Sequence, residues 1–347
     1  MILKNNSKIC LDKFINKTLY DKSKGYYMNK NPFGKEGDFI TAPNISIMFS
    51  EMIAIWIISF WEKMGLPQKI NIIELGGGNG EMIYQILRTI KNFNKFKNSA
   101  KFYILEKSPY LKQIQKKKIK SKEVIWIDNL NKVSKNPSIF IANEFFDSLP
   151  IKQFIKKKSI WYEKFIYSKN NKLKFIDIKK ENLKTEKIFN QKISNDINFI
   201  EYSPLAFKKL NIISKIVRKY NGGILIIDYG YFKKKMINTL QGVKNHKKIN
   251  FLKNIYNSDI THMLNFKYYK KKLENLKLDS IQFTTQREFL MKMGIIERAE
   301  LISKNVSFSK KADIYFRLKR LIDDKEMGSL FKVFFATNKK NKFNLGF

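Results

Sequence analysis

Three alternating glycines after an apolar segment are the feature of this sequence with the clearest chemical meaning. Residues 71–80 read Asn-Ile-Ile-Glu-Leu-Gly-Gly-Gly-Asn-Gly, so Gly76, Gly78 and Gly80 follow Glu74 with the spacing G-x-G-x-G. Glycine lacks a Cβ atom, and the backbone of such a turn can therefore approach a ligand closely. We interpret the segment as a cofactor-binding turn between a strand and a helix; a glycine-rich connection without a ligand is the alternative.

The acids around this turn indicate which cofactor it accepts. Dinucleotide sites require G-x-G-x-x-G, but the sixth position here is Glu81, whose charge repels a phosphate. A P-loop requires Gly-Lys-Ser/Thr, which this segment lacks. S-adenosylmethionine has no phosphate, and its amino group and sulfonium are positively charged, so Glu74 and Glu81 attract it. The turn therefore predicts S-adenosylmethionine as the cofactor.

Two further acids end predicted strands next to this turn. Glu106 closes the segment 101–106, where a carboxylate can accept hydrogen bonds from both hydroxyls of a ribose. The alternative is a surface residue that caps the helix beginning at Ser108. Asp128 closes the following strand and is predicted to receive the adenine amino group. Both residues are therefore candidate cofactor ligands.

The loop after the fourth predicted strand contains the candidate catalytic residues Asn143, Glu144 and Asp147. The carboxyl ends of strands in an open α/β sheet hold the ligand, so this loop is expected to face the reacting methyl group. Methyl transfer to nitrogen needs acceptors that hold the nitrogen's hydrogens while its lone pair points at the methyl carbon. Two carboxylates can pair with a guanidinium in this way. A polar turn that merely ends the strand is the alternative.

The chain has two histidines and one cysteine. His246 and His262 are each interpreted as a general base or as a structural hydrogen-bonding residue. Cys10 has no partner for an intramolecular disulfide, and no Cys/His cluster has the spacing of a zinc site. We therefore expect no metal and a reducing compartment.

The composition is strongly basic, with a formal net charge of +38 over 347 residues. Only six of the 68 basic residues are arginine, and the lysines are spread along the whole chain. Nucleic-acid recognition usually recruits arginine, so we expect a solvated basic surface and no specific nucleic acid. The sequence contains no apolar run of the ~18 residues that a membrane span needs. The first twenty residues lack the apolar region of a signal peptide, which suggests a cytoplasmic bacterial protein.

Apolar segments with strand and helix patterns alternate through the middle of the chain, and this predicts an α/β fold with a mostly parallel sheet. Residues 1–66 are predicted to form an N-terminal helical extension, with a short amphipathic helix over residues 8–30 and a second helix from about 44 to 64. Residues 67–347 are predicted to form the core, with an antiparallel insertion at about 151–203 and substrate-side loops at about 231–285. The predicted strands are 71–75, 101–106, 123–127, 138–142, 223–228 and 330–336, and the predicted helices are 80–91, 109–118, 204–220, 286–299 and 310–321.

Several long segments together resemble the MidA-like methyltransferases, a family that includes the mitochondrial complex I assembly-factor methyltransferase. The resemblance spans nearly the whole chain. Its markers are Gly25-Tyr26-Tyr27, residues 37–43 (GDFITAP), the turn from Glu74, residues 105–109 (LEKSP), residues 143–147 (NEFFD), residues 227–230 (IDYG), residues 259–262 (DITH), and Met327-Gly328. The family usually has proline and arginine where this chain has Gly77 and Asn79, and often an acid where it has Gln85.

The resemblance implies a class I, Rossmann-like S-adenosylmethionine methyltransferase fold. It also implies methylation of a protein arginine on the quinone-site subunit of respiratory complex I, and it leaves a homodimer possible. In a eukaryote such a protein would be in the mitochondrial matrix. Residues 37–43 are expected to form a lid in which Asp38 and Thr41 contact the cofactor, while Asp259, His262 and His246 are expected to contact the substrate.

Two alternative functions remain at this point. An RNA methyltransferase would use the basic surface. A non-catalytic assembly chaperone for complex I would keep the cofactor fold only as a scaffold.

Overall fold

The computed structural model describes residues 2–34, 37–181, 183–189 and 196–347. Its strands are β1 (Lys8–Cys10), β2 (Ile70–Leu75), β3 (Ala100–Leu105), β4 (Val124–Ile127), β5 (Ser138–Asn143), β6 (Lys152–Lys157), β7 (Ile160–Lys169), β8 (Lys172–Lys179), β9 (Phe199–Tyr202), β10 (Gly222–Tyr231), β11 (Gln241–Lys244), β12 (Lys247–Ile249), β13 (Asp259–Thr261), β14 (Leu264–Asn265), β15 (Ser280–Thr285) and β16 (Phe331–Thr337). Its α-helices are α1 (Leu11–Tyr20), α2 (Tyr26–Asn29), α3 (Ala42–Ile45), α4 (Ile47–Lys63), α5 (Glu81–Thr89), α6 (Asn94–Ser99), α7 (Pro109–Ile119), α8 (Thr185–Phe189), α9 (Pro204–Tyr220), α10 (Phe266–Asn275), α11 (Gln286–Lys292), α12 (Ile295–Ser303), α13 (Phe308–Ile322) and α14 (Met327–Leu330).

A mixed central sheet carries the fold, in the strand order β15-β16-β10-β5-β2-β3-β4. The strands from β10 to β4 run parallel, whereas β16 is antiparallel to both of its neighbours. The strand order reverses beside β2, because β3 and β4 extend the sheet on one side and β5 and β10 extend it on the other. Such a reversal opens a crevice at the carboxyl ends of the strands, where ligands of α/β proteins bind.

Helices cover both faces of this sheet, which explains why the predicted strands are almost continuously apolar. Ile72 on one face of β2 packs in a cluster with α4 and α5, and Ile73 on the other face packs with α9 and α10. Every residue of β2 and β5 is buried. The alternation of strands and helices predicted for residues 71–142 is thus confirmed.

An antiparallel sheet forms the predicted insertion, with the order β1-β7-β6-β9 and with β8 paired to β7. Part of the predicted insertion, residues 182 and 190–195, lies outside the described residues. The prediction of a helix from residue 8 is wrong at its start. Residues 8–10 form β1, which pairs with β7 between Lys8 and Tyr167. This pairing is non-local, so the local sequence pattern does not reveal it.

Two other elements differ from the sequence prediction. The helix predicted at 286–299 is two helices, because Gly294 adopts a φ of 83° between them. The segment of about 231–285, predicted as substrate-side loops, contains a small sheet with the order β12-β11-β13, the helix α10 and the strand β15. In the described part of the chain, no helix is long and apolar enough to cross a membrane.

Candidate active site

A cavity of about 230 Å³ lies at the carboxyl ends of the parallel strands. Residues near the carboxyl ends of β2, β3, β4, β5 and β10 line one side, and residues from the N-terminal extension, from α5, α7 and α9, and from the β11–β13 region line the rest. Ten of the predicted site residues line it: Thr41, Glu74, Gly76, Gly78, Glu106, Asp128, Asn143, Glu144, Asp147 and Asp259. Four predicted site residues are not among its lining residues: Asp38, Gly80, His246 and His262.

The glycine turn has the backbone conformation that its sequence suggested. Gly76, Gly78 and Gly80 have φ values of 72°, 50° and 82°, in the left-handed region that glycine enters without strain. A Cβ atom on Gly76 would lie 2.6 Å from Cδ2 of Phe145, so the turn and this ring are in close contact. Gly80 precedes α5 as its N-cap residue and supports the turn without lining the cavity.

Glu74 presents a carboxylate to the cavity that the described protein does not satisfy. The residue is buried, and its Oε2 atom has no hydrogen-bond partner among the described residues. Burial, followed by the nearby charge of Glu106, raises the pKa of Glu74 to about 8. A buried acceptor without a partner beside a turn without Cβ atoms fits the charged methionine end of S-adenosylmethionine.

Glu106 is held in place by the protein through both of its oxygens. Oε1 accepts a hydrogen bond from the Ser108 N–H at 2.9 Å, and Oε2 accepts one from Nε2 of Gln115 at 3.0 Å. Burial is the main cause of the raised pKa of Glu106. The same Nε2 of Gln115 also donates to the Gly78 carbonyl at 2.9 Å, which links the two cofactor-side segments. The sequence analysis missed Gln115, whose only signal is a polar residue on the inner face of α7.

Asp128 and Glu81 line the cavity but already have basic partners. Asp128 pairs with Lys132 at 2.7 Å, and this hydrogen bond and charge lower the pKa of Asp128. Glu81 pairs with Lys118 at 2.6 Å. The attraction of Glu81 for a cationic cofactor is therefore partly offset by Lys118.

Three carboxylates on the other side of the cavity share one pattern, in which one oxygen accepts a hydrogen bond from the described part of the protein. Oε1 of Glu144 accepts from the Ala42 N–H and from Nδ2 of Asn143, both at 3.3 Å. Oδ2 of Asp147 accepts from the Thr261 hydroxyl at 3.0 Å, while its buried Oδ1 has no hydrogen-bond partner among the described residues.

The third carboxylate, Asp259, completes the pattern. Its Oδ1 accepts from the Tyr27 hydroxyl at 2.8 Å and from the Ile260 N–H at 2.8 Å. The buried Oδ1 atom of Asn143 also lacks a donor in the described part of the protein. The site therefore offers several acceptor atoms that are ready for a ligand with several N–H groups.

Burial and mutual repulsion raise the pKa values of these carboxyl groups. Withdrawal from water, followed by the charge of Asp147, raises the pKa of Glu144 to about 8. The Glu144 side chain is nevertheless partly open to the cavity. Burial, followed by the charge of Asp259, raises the pKa of Asp147 to about 7. Burial raises the pKa of Asp259 to about 6. A cation that enters this group stabilises the ionised carboxylates.

Asp228, near the carboxyl end of β10, fixes the loop that carries two of these acids. Its Oδ2 accepts from the Phe146 N–H at 3.0 Å and from the Asp147 N–H at 3.3 Å, and its Oδ1 accepts from the Tyr229 N–H at 2.9 Å. These bonds support the left-handed conformation of Glu144, which has a φ of 49°. The sequence analysis gave Asp228 no role, although an acid that ends a fully apolar strand is a usable signal.

The N-terminal extension closes the cavity with an aromatic wall. Tyr20, Tyr27, Phe33 and Phe39 line it, and Tyr20 and Tyr27 stack with their ring centres 5.6 Å apart.

A chain of hydrogen bonds connects the predicted lid to the glycine turn. Nδ2 of Asn79 donates to Oδ1 of Asn44, and Nδ2 of Asn44 donates to the Thr41 hydroxyl, each at 2.7 Å.

Asp38 lies behind this wall. Its carboxylate accepts hydrogen bonds from the Tyr26 hydroxyl at 2.5 Å and from the Asn245 N–H at 2.9 Å. Burial opposes ionisation of Asp38, but these hydrogen bonds and Lys30 outweigh it and lower the pKa. Within the described structure, Asp38 thus anchors the lid to the β11–β12 turn.

The two histidines lie outside the cavity lining. His262 is buried, its backbone N–H donates to the Asp147 carbonyl at 3.1 Å, and burial lowers its pKa to about 4. Its imidazole is therefore neutral at pH 7. His246 lies exposed in the β11–β12 turn, where its N–H donates to the Asp38 carbonyl at 3.0 Å. Substrate contact by either histidine stays a prediction.

One group of metal-ligand atoms is found among the described residues, formed by Cys10, Asp12 and Glu163. The ammonium of Lys152 pairs with both Asp12 and Glu163. A cation therefore already neutralises this cluster, which is not part of the cavity lining.

Comparisons with known proteins agree with this geometry. Residues 52–284 match the model of a family described as S-adenosyl-L-methionine-dependent methyltransferases. The chain is 28% identical to the mitochondrial protein arginine methyltransferase NDUFAF7 of Xenopus tropicalis, over 96% of this chain and 83% of that protein. It is also 28% identical to the human protein of that name, over 96% of this chain and 80% of the other.

Solved structures share the fold. A crystal structure from Burkholderia thailandensis with S-adenosyl-homocysteine bound has a TM-score of 0.81 and 18% identity, and the match covers 98% of this chain and 90% of the other. A native crystal structure from the same organism has a TM-score of 0.76 and 19% identity, with 98% and 89% covered.

Proposed function

Because the chain belongs to the family of S-adenosyl-L-methionine-dependent methyltransferases, we propose that it transfers a methyl group to the guanidinium of an arginine in a protein substrate. We further assign the sheet to the class I, Rossmann-like arrangement. The order β4-β3-β2-β5-β10 of parallel strands, with the antiparallel β16 beside β10, supports this assignment.

One observation carries the proposal: the carboxylates of Glu144, Asp147 and Asp259 line one cavity without a basic partner among the described residues, and the buried Oδ1 of Asp147 has no hydrogen-bond partner there. A protonated arginine side chain has five N–H donors in a planar fork, and carboxylates pair with this fork through two parallel hydrogen bonds. The cation would also offset the repulsion that raises the three pKa values. Asn143 Oδ1 supplies a further acceptor for a guanidinium N–H.

The cofactor side uses the other half of the cavity. When bound, S-adenosylmethionine supplies a methyl group on a positively charged sulfur. Glu74 and the glycine turn would bind its methionine end, Glu106 would bind the ribose, and Asp128 would lie at the adenine end. Thr41 would close the site as part of the lid formed by residues 37–43, and the Asn79–Asn44–Thr41 chain supports that closure.

The acceptor side would orient a nitrogen and remove its proton. Asp147 and Asp259 would pair with two N–H groups of the guanidinium, which directs the lone pair of the attacked nitrogen toward the methyl group. Transfer releases one proton, and Glu144 Oε2 would accept it. A carboxyl with a pKa raised to about 8 is suited to that role near neutral pH.

We infer the substrate from the resemblance and from the named relatives. Mitochondrial proteins called protein arginine methyltransferase are 28% identical to the chain. The quinone-site subunit of respiratory complex I is the substrate that we propose. The same proposal divides the chain into a helical extension (1–66) and a core (67–347). It also includes a homodimer and a location in a bacterial cytoplasm or a mitochondrial matrix.

The test uses methyl-labelled S-adenosylmethionine and respiratory complex I isolated from the same cells without this gene. We expect mass spectrometry to find the label on one arginine of the quinone-site subunit. Asp147→Asn should lower the transfer rate by roughly 100-fold, because it removes one of the carboxylates that orient the guanidinium. Glu123→Gln, at an exposed position away from the cavity lining, is the control and should transfer normally.

Three results would contradict the proposal in different ways. Label on RNA would support an RNA methyltransferase. Cofactor binding by calorimetry without label on any macromolecule would support the assembly chaperone. Full transfer by Asp147→Asn would show that the carboxylates do not present the acceptor.

A further inference from the structure

Two lysines line the same cavity as the carboxylates, and both lie against aromatic rings. Nζ of Lys107, two residues after the end of β3, is 4.9 Å from the ring centre of Tyr20. Nζ of Lys209, in the second turn of α9, is 5.5 Å from the ring centre of Phe145. Both rings also line the cavity. The two ammonium groups are thus held at its wall.

Neither ammonium has an acidic partner in the part of the chain that the structure describes. Burial lowers the pKa of Lys209, and the positive charges of Lys107 and Lys208 lower it further. Burial also lowers the pKa of Lys107. Lys209 is partly withdrawn from water and Lys107 is more exposed. Two neighbouring cations at a cavity wall are unfavourable without an anion, so this wall is complementary to a negative group.

We propose that Lys107 and Lys209 bind the carboxylate of an acidic residue that lies close to the target arginine in the substrate protein. This inference rests on the proposed function, because it adds a second recognition point to the same site. Glu144, Asp147 and Asp259 would take the guanidinium, and the lysine pair would take the neighbouring acid. The enzyme would then select an arginine by its sequence context.

The position of the lysine pair favours the substrate over the carboxylate of the cofactor itself. Leu205, one turn before Lys209 on α9, lines the cavity and is 36% exposed, so this part of the cavity reaches the protein surface. A protein substrate must approach from the surface. Lys107 follows Glu106, which is assigned to the ribose, and the methionine carboxylate belongs at the glycine turn.

In the experiment, the full-length protein and labelled S-adenosylmethionine are incubated with an oriented peptide library in which every peptide has an arginine at one fixed position. We expect aspartate and glutamate to be enriched at one or two defined positions relative to the arginine. Lys209→Met should reduce that preference roughly fivefold, the size expected for loss of a partly exposed ion pair. Lys208→Met removes the same charge from an exposed neighbour outside the lining and should keep the preference.

The possible outcomes separate this inference from the proposed function. Methylation of arginine peptides without a positional preference for acids would overturn the lysine-pair inference alone. An equal loss of preference in Lys208→Met would reduce the effect to overall charge and would also overturn it. A tenfold weaker calorimetric affinity of Lys209→Met for S-adenosylmethionine would assign the pair to the cofactor carboxylate. No methylation of any arginine peptide would contradict the proposed function together with this inference.

Discussion

Replacing Gly76 by alanine should destabilise the protein and weaken cofactor binding, since both effects follow from one Cβ atom. Gly76 has a φ of 72°, and the left-handed region costs an L-residue about 1–2 kcal/mol. The new Cβ would lie 2.6 Å from the ring of Phe145, and forcing a packed ring aside typically costs ~1–3 kcal/mol. We therefore expect a loss of about 2–5 kcal/mol in the free energy of unfolding.

Gly65→Ala is the matched control for this substitution. Gly65 has a φ of 86°, but a Cβ atom there would meet no atom within 4 Å. The control should therefore lose only the backbone cost of about 1–2 kcal/mol. Urea unfolding measures both variants, and calorimetry measures their affinity for S-adenosylmethionine.

The two variants should differ most clearly in cofactor affinity. Gly65→Ala should bind S-adenosylmethionine like the unchanged protein, whereas Gly76→Ala should bind at least tenfold more weakly, equivalent to about 1.4 kcal/mol. The displaced Phe145 ring and the added methyl group both lie at the turn that the cofactor must approach. Equal stability losses and unchanged affinities in the two variants would refute the idea that close approach at Gly76 requires glycine.

Three further predictions concern the acids, the aromatic wall and the lid. The pKa of Glu144 is about 8 in the folded protein against an ordinary value of 4.5, so the folded state holds a proton that the unfolded state releases. The free energy of unfolding should therefore fall as pH rises from about 5 to 8. Glu144→Gln should reduce this slope, measured by urea unfolding at each pH, by up to ~1.4 kcal/mol per pH unit. Tyr27→Phe keeps the aromatic ring and removes the hydrogen bond to Asp259, so we expect a higher KM for the arginine substrate and an unchanged affinity for the cofactor. An unchanged KM would show that this hydrogen bond does not position Asp259. Asn44→Ala breaks the two hydrogen bonds through which Asn44 links Thr41 of the lid to Asn79, and faster amide hydrogen exchange at residues 37–43 should result; unaltered exchange would mean that other contacts hold the lid.

The parts of the fold that the sequence predicted are those with strong local patterns. The segments that became β2 and β10 are apolar on both faces because helices cover both faces, and their ends are marked by glycine or acid. The break at Gly294 and the strand β1 were mispredicted. In the first case one glycine has a φ of 83° within an otherwise helical pattern, and in the second a three-residue strand exists only because β7 accepts it.

The candidate site shows the same limit. The glycine turn and the acids at strand ends were predicted, because each lies at the edge of a recognisable strand. Asp228 and Tyr27 make hydrogen bonds to segments that are distant in sequence. The side-chain amide of Gln115 donates to both Glu106 and the Gly78 carbonyl and so links the loops after β3 and β2. Such partners are set by three-dimensional packing, and a single sequence carries no spacing rule for them.

The order in which this chain is synthesised differs from the order in which its site can close. The Tyr27 hydroxyl donates a hydrogen bond to the carboxylate of Asp259, 232 residues later in the chain. The strand β1 can pair only after β7 has been synthesised. At ~5–20 residues per second, the aromatic wall would remain without its partner for roughly 10–50 s after leaving the ribosome. A chain that stops before Asp259 keeps the glycine turn but lacks the acid that Tyr27 holds. Completion of translation is therefore itself a condition for acceptor binding, and truncated products should be unable to hold an arginine in the site.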